Sequence, residues 1–196
     1  MHAFDMRGFG ENANMQIPYS LSDYVQEVKN YMSSHDIIRP HVVAHSFGAR
    51  VVVKALSQQP QLFDRVVITG GAGLKPRRTF KKVAKKVCFN LLKVFVKRER
   101  LAAFYSPDYL RLSPVMRQSF KMIVAEHLDD AAKTIPNRTL LIYGKGDKET
   151  PLYMARRFNK YLVNSKLLVI DGAGHFAFVD KPSKFNREVR EFLLSN

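Results

Sequence analysis

The chain has 196 residues, and 46 % of them are hydrophobic, which predicts one domain that can bury a core. No run of about 18 uncharged apolar residues occurs, which excludes a transmembrane helix, and the N-terminus lacks the basic and apolar regions of a secretory signal. The single cysteine, Cys88, excludes an internal disulfide framework and favours a reducing compartment, so we expect a cytoplasmic location.

The first half of the chain alternates between helical and strand-like patterns. Ser20 and Asp23 form a capping pair for a helix that we expect over residues 20–33, where apolar residues return on one face. Short apolar runs indicate buried strands, and amphipathic spacing indicates a second helix. These elements are a strand at 41–44, a helix at 47–59 and a strand at 65–69.

The same alternation resumes near residue 139. It predicts a strand at 139–143, a helix at 151–161, a strand at 166–170 and a last helix that begins near Pro182. Strands that alternate with helices form right-handed βαβ units around a parallel sheet. The sequence therefore predicts an α/β fold.

Ser46 lies directly between the first predicted strand and the helix that follows, in the segment Ala44-His45-Ser46-Phe47-Gly48. A small residue stands two positions away on each side. A nucleophile elbow requires this, because strand and helix must approach closely around an exposed hydroxyl. The usual motif has glycine at both places, and this chain has Ala44 at the first. The alternative interpretation is a serine that only caps a helix.

Two further side chains follow later strands of the predicted sheet. Asp147 ends the glycine-containing loop 144–147, and His175 ends the loop 172–175. The carboxyl ends of parallel strands meet at one edge of a sheet, so we expect both side chains to converge with Ser46. Three placements in the order Ser, Asp, His are harder to obtain by chance than one motif.

These segments, together with residues 5–10 (Asp-Met-Arg-Gly-Phe-Gly), resemble the α/β-hydrolase superfamily over essentially the whole chain. The resemblance implies the α/β-hydrolase fold, with a mostly parallel sheet, helices on both faces and a helical cap. It also implies Ser46 as nucleophile, His175 as general base and then acid, and Asp147 as the group that orients the imidazole.

The resemblance further implies the surroundings of this triad. The backbone N–H of Phe47 would be one oxyanion-hole donor, and Phe47 and Phe176 would line the substrate pocket. Glu149 is an alternative to Asp147 as the acid, and the side chain of His45 is expected to point away. No cofactor is implied, and the other histidines lack metal-ligand spacing, so no metal is predicted.

Part of the family's fold has no counterpart at the front of the chain. The family normally has several strands before the segment that here occupies residues 5–10, and Met1–Phe4 would be a remnant of the last of them. We therefore expect an N-terminally truncated fold that lacks the second oxyanion donor. The strand at 41–44 would then be an open edge, through which copies of the chain would pair into a homo-oligomer.

Most of the net charge of +15 lies between residues 75 and 100, which hold eleven basic residues and one acidic residue, Glu99. Apolar residues recur there at helical spacing, which predicts an amphipathic helix. Its lysines are either solvated on a cap helix or bind an anionic membrane surface. The lysines proposed for membrane binding are Lys81, Lys82, Lys85 and Lys86. Nucleic acid is not an expected partner, because no stacking platform or nucleic-acid motif is present.

Three segments are predicted. Residues 1–74 form the N-terminal part of the core with the nucleophile elbow, residues 75–137 the helical cap insertion, and residues 138–196 the C-terminal part with the acid and histidine loops. The predicted function is a serine hydrolase that acts on a small ester or related acyl substrate. The alternative is a catalytically incomplete remnant of such a hydrolase, whose basic cap helix binds an anionic membrane surface. The fold by itself does not identify the substrate.

Overall fold

The computed structural model describes residues 1–77 and 107–195, and it divides the chain into two compact units. The smaller unit comprises Met1–Tyr19 and Pro76–Lys121, and the core unit comprises Ser20–Lys75 and Met122–Asn196. The predicted basic helix, with its four candidate lysines between residues 81 and 86, lies outside the described residues.

This division differs from the three predicted segments in two places. Residues 1–19 group with residues 76–121, whereas residues 122–137 group with the core unit. Leu128 is buried there, and its N–H donates to the carbonyl of Gly73 at 3.0 Å. Packing of apolar side chains therefore places the stretch 122–137 with the core, and sequence position alone does not reveal such packing.

A four-stranded parallel sheet forms the centre of the core unit, as the alternating pattern predicts. Its strands are β1 (Val42–His45), β2 (Val66–Thr69), β3 (Thr139–Gly144) and β4 (Ser165–Ile170). They lie side by side in chain order. Ala44 pairs with Ile68, and Thr69 pairs with Ile142, so the carboxyl ends of the strands lie at one edge of the sheet.

The helices predicted at 20–33, 47–59 and 151–161 begin and end within one residue of those positions, and the last helix begins at Pro182 as predicted. The described helices are α1 (Leu21–Ser34), α2 (Phe47–Gln58), α3 (Pro107–Arg111), α4 (Pro114–Ala125), α5 (Asp129–Lys133), α6 (Leu152–Tyr161), α7 (Ala177–Asp180) and α8 (Pro182–Leu194). Ser20 and Asp23 form a complete capping box at the start of α1, each side chain accepting from the other's backbone N–H. Among the residues that the structure describes, no helix combines the length and the apolar character needed to cross a membrane.

The core lies on both faces of the sheet. Every residue of β2 and β3 is buried, and successive side chains of a strand point to opposite faces, so both faces are covered. This explains why these strands are continuous apolar runs in the sequence. One cluster packs the sheet against α7 and α8, and its buried members are Val67, Leu140, Ile142, Ile170, Ala173, Ala177 and Phe185.

β1 lies at one edge of the sheet that the described residues form. Val43 on this strand is 52 % exposed, which fits the expectation of an exposed edge. An exposed edge strand can pair with another chain. Whether copies of this chain pair there stays a prediction.

In the smaller unit, residues 5–10 form a turn around Asp5. The Asp5 carboxylate accepts from the N–H of Glu11 at 3.0 Å, and its carbonyl accepts from the side chain of Asn12 at 2.6 Å. Gly10 has a φ of 48°, and a Cβ there would collide with the Asp5 carboxylate. Met1–Phe4, the expected remnant of a strand, is not itself in a strand.

Candidate active site

Ser46 joins the carboxyl end of β1 to α2 in a strained turn. Its φ of 47° and ψ of −105° lie outside the regions that a non-glycine residue normally adopts. Its N–H donates to the carbonyl of Thr69 at 3.1 Å, and its carbonyl accepts from the N–H groups of Ala49 and Ala72, each at 3.2 Å. These backbone bonds hold the strained strand-to-helix turn that a nucleophile elbow requires.

The side chain of Ser46 makes no capping hydrogen bond to α2, although the residue stands at the N-cap position. The alternative interpretation, a serine whose hydroxyl only caps a helix, therefore lacks the bond that it needs. Ala44 is buried, and a Cβ added to Gly48 would meet the Cβ of Ala44 at 3.7 Å, an ordinary contact. The elbow thus accommodates the alanine that replaces the first glycine of the usual motif.

The buried carboxylate of Asp147 accepts four hydrogen bonds. Oδ1 accepts from the N–H groups of Glu149 and Thr150, each at 2.9 Å. Oδ2 accepts from Thr150 Oγ1 at 2.7 Å and from His175 Nδ1 at 2.9 Å. Burial acts to raise the pKa of Asp147, but the hydrogen bonds from His175 and Thr150 outweigh it and hold that pKa below its usual value. The carboxylate is therefore ionised near neutral pH.

His175 stands in the loop after β4 and is tied to Asp147 through Nδ1. An ionised carboxylate can only accept, so Nδ1 carries the proton, and Nε2 is the basic nitrogen. The loop is held by the N–H of Gly174, which donates to the Asp180 carboxylate at 2.7 Å. The hydrogen bonds of the His175 ring go to Asp147 and Thr150, and neither involves Ser46 Oγ. Bonds between nucleophile and base are often long in enzymes without substrate.

His45 faces the site, contrary to the expectation that its side chain points away. Its ring centroid lies 4.6 Å from that of His175 and 5.1 Å from that of Phe176. Nδ1 donates to the carbonyl of Thr69 at 3.0 Å, and among the described residues the buried Nε2 has no partner. Burial, and then the neighbouring His175, lower the pKa of His45, so this ring is neutral.

Phe47 and Phe176, the predicted substrate contacts, differ in their surroundings. The ring of Phe47 packs edge-to-face on Tyr24 with the centroids 5.0 Å apart. Phe176 is 53 % exposed, and its ring lies 5.2 Å from that of His175. Phe176 therefore presents apolar surface beside the histidine, whereas Phe47 is partly covered.

Glu149, the alternative acid, is exposed and supplies only its backbone N–H to Asp147. The carboxylate that bonds to His175 is that of Asp147. Within residues 1–77 and 107–195, no group of three or more histidine, cysteine or acidic side chains could hold a metal ion. The polar side chains of the candidate site include the hydroxyl groups of Ser46 and Thr150, the imidazole of His175 and the carboxylate of Asp147.

A family match covers nearly the whole chain. The sequence model of the Alpha/beta hydrolase family matches residues 1–188, a range that includes Ser46, Asp147 and His175. The chain belongs to this family. The parallel sheet and the strained turn at Ser46 agree with that membership.

Two hydrolases and one uncharacterized protein illustrate what this chain is similar to. The 2-hydroxymuconate semialdehyde hydrolase of Pseudomonas putida is 23 % identical, and the alignment covers 96 % of this chain and 75 % of that protein. A meta-cleavage product hydrolase of Pseudomonas fluorescens has a TM-score of 0.70 at 25 % identity, covering 96 % of this chain and 77 % of that one. An uncharacterized protein of Mycobacterium tuberculosis is 24 % identical, and the alignment covers 96 % of this chain. This chain spans only 66 % of the length of that protein.

Three residues near His175 were not assigned to the site from the sequence, although His45 was considered and set aside. Thr150 bonds to Asp147, the ring of His45 packs against His175, and Gly70 lies so close that a Cβ there would stand 3.0 Å from His175 Nδ1. The glycine run after β2 was the only sequence signal for the last of these contacts, because glycine permits close approach. Together these neighbours restrict where the imidazole can lie.

Proposed function

We propose that this chain is a serine hydrolase that cleaves a small ester or related acyl substrate through Ser46, His175 and Asp147. The observation that carries the proposal is the 2.9 Å hydrogen bond between His175 Nδ1 and Asp147 Oδ2. It leaves Nε2 of an oriented imidazole as a base, and the three residues follow β1, β3 and β4 at the same edge of one sheet.

The proposed reaction has two steps. Ser46 Oγ attacks the acyl carbon while His175 Nε2 accepts the hydroxyl proton, and the bond to the leaving oxygen breaks as His175 returns that proton to it. Water then attacks the acyl-enzyme with His175 again as base, which releases the carboxylic acid and restores Ser46. Asp147 stays ionised and stabilises the imidazolium that forms in each step.

Two further groups are proposed to act on the substrate. Phe47 is the first residue of α2, so its N–H lies at the positive end of the helix dipole and suits an oxyanion-hole donor. Phe176 is proposed to contact the substrate, because its exposed ring adjoins His175. The ring of Phe47, which packs on Tyr24, would form a wall of the substrate pocket that is less accessible than Phe176.

A second candidate substrate comes from the relatives. The similar Pseudomonas putida protein is a 2-hydroxymuconate semialdehyde hydrolase, so a semialdehyde of this type is the alternative to an ester. Both reactions would use Ser46 and His175. Hydrolysis rates measured with a small p-nitrophenyl ester and with 2-hydroxymuconate semialdehyde would distinguish them.

Labelling of the intact chain with a fluorophosphonate tests the proposal, because this probe reacts with a serine that an assembled base and oxyanion site activate. We expect one adduct by intact mass on the wild type and none on Ser46→Ala. Ser34→Ala, which changes an exposed serine at the end of α1, should label like the wild type. Absence of an adduct on folded wild-type protein would instead support the alternative of a catalytically incomplete remnant.

Three other expectations from the sequence stay predictions. They are a cytoplasmic location, pairing of copies through the edge strand β1, and contact of the four lysines between residues 81 and 86 with an anionic membrane surface. None of them is needed for the proposed chemistry.

A further inference from the structure

Thr150 shares one oxygen of the acid with the histidine. Its hydroxyl donates to Asp147 Oδ2 at 2.7 Å, and the same oxygen accepts from His175 Nδ1 at 2.9 Å. Thr150 Oγ1 also lies 3.4 Å from His175 Nδ1. Thr150 is 4 % exposed, so its hydroxyl is shielded from solvent. Asp147 Oδ2, Thr150 Oγ1 and His175 Nδ1 therefore form the three corners of a triangle of polar atoms.

The chemistry of the groups fixes the direction of each bond. An ionised carboxylate only accepts, so the hydroxyl proton of Thr150 must point to Oδ2. The lone pairs of Oγ1 are then left for the Nδ1–H of His175. The hydroxyl thus favours the tautomer in which Nδ1 carries the proton and Nε2 is free to act as base.

The backbone N–H groups near Asp147 do not replace the hydrogen bond from the Thr150 hydroxyl. The N–H groups of Glu149 and Thr150 bond to the other oxygen, Oδ1, and any residue except proline at position 150 would supply the second of them. The bond to Oδ2 needs a hydroxyl, which only threonine or serine provides in this geometry. Donors on both oxygens keep the carboxylate from rotating away from His175.

We infer that Thr150 is a positioning residue of the site, which holds Asp147 ionised and aimed at His175. The inference rests on the proposed function, in which His175 is the general base. The titratable groups that face Asp147 from other elements are His175, His45 and Tyr143. The Tyr143 hydroxyl is engaged with the carbonyl of Gly71 at 2.9 Å. Among the described residues, the side chains that hydrogen-bond to the Asp147 carboxylate are those of Thr150 and His175.

Comparison of Thr150→Val with Thr150→Ser tests this role. Valine keeps the shape of the side chain and removes the hydroxyl, whereas serine keeps the hydroxyl. We expect Thr150→Val to slow fluorophosphonate labelling of Ser46 about tenfold, the worth of one hydrogen bond to a charged group. Thr150→Ser should restore the wild-type labelling rate.

A measurement that needs no activity separates this inference from the proposed function. The carboxyl carbon of Asp147 is titrated by ¹³C NMR in the wild type and both variants, and its signal is assigned with Asp147→Asn. The Thr150 hydroxyl is one of the hydrogen bonds that lower the pKa of Asp147, so that pKa should rise in Thr150→Val and not in Thr150→Ser.

The outcomes are distinct. A wild type that is folded but unlabelled contradicts the proposed function, and the NMR comparison still decides the role of Thr150. An unchanged Asp147 titration in Thr150→Val, or a serine variant as impaired as the valine variant, overturns the inference. If Thr150→Val does not fold, Thr150→Ala, which keeps the backbone donors, takes its place in both measurements.

Discussion

Gly70 leaves room for the ring of His175, since a Cβ at Gly70 would lie 3.0 Å from His175 Nδ1 and 3.2 Å from its carbonyl oxygen. The φ of Gly70 is 52°, a left-handed conformation that other residues rarely adopt. Gly70 follows β2, between the strands that lead to Ser46 and to Asp147. The absence of a side chain there is therefore part of how the imidazole reaches Asp147.

We expect Gly70→Ala to slow fluorophosphonate labelling by about 10- to 100-fold, because the added methyl displaces the His175 ring from its bonded position. The control is Gly172→Ala. Gly172 also has a positive φ, of 70°, but a Cβ there would meet only the flexible end of Lys181. Both variants should lose about 1 to 2 kcal/mol of unfolding free energy through backbone strain, measured by urea denaturation. Equal labelling rates in the two variants would contradict this account.

The lowered pKa of His45 predicts how stability depends on pH. The folded protein holds this ring neutral, whereas the unfolded chain binds a proton with a pKa of about 6.5. The resulting stabilisation is present above that value and is lost as pH falls below it. His45→Phe keeps a ring against His175 and removes the titration, and Thr69 still accepts from the N–H of Ser46.

Thermal unfolding between pH 7.5 and pH 5 measures this effect. The wild type should lose more stability on acidification than His45→Phe does. The exposed His127 supplies the control, because His127→Phe should follow the wild-type curve. If His45→Phe loses as much stability as the wild type, His45 is not held neutral by its surroundings.

Arg50 joins α2 to the end of α4. Its Nη1 donates to the carbonyls of Ile123 at 2.9 Å and Glu126 at 3.0 Å, and the side chain is partly buried. Arg50→Met should lower the unfolding free energy by about 2 kcal/mol in urea denaturation, because both carbonyls lose a charged donor. Arg187→Met, at an exposed position of α8, should change it by about 0.5 kcal/mol or less. If Arg50→Met lowers the unfolding free energy no more than Arg187→Met does, water replaces the guanidinium as the donor to the two carbonyls.

The outcome at His45 shows where prediction from the sequence stops. Position 45 was recognised as the neighbour of the elbow serine, but the direction of its side chain depends on the strained turn at Ser46 and on contacts with His175 and Phe176. Thr150 is a similar case. It stands three residues after Asp147, yet its hydroxyl matters only because His175 bonds to the same carboxylate oxygen.

The sequence by itself determined the helices α1, α2, α6 and α8, the four parallel strands and the order of Ser46, Asp147 and His175. Those features depend on caps, apolar periodicity and loop residues, which act between neighbours along the chain. Only the tertiary structure decided that Asp147 and not Glu149 bonds to His175, and that Gly70 leaves the space for its ring. Such contacts join loops on different strands, and a shift of about 1 Å in strand packing would remove them.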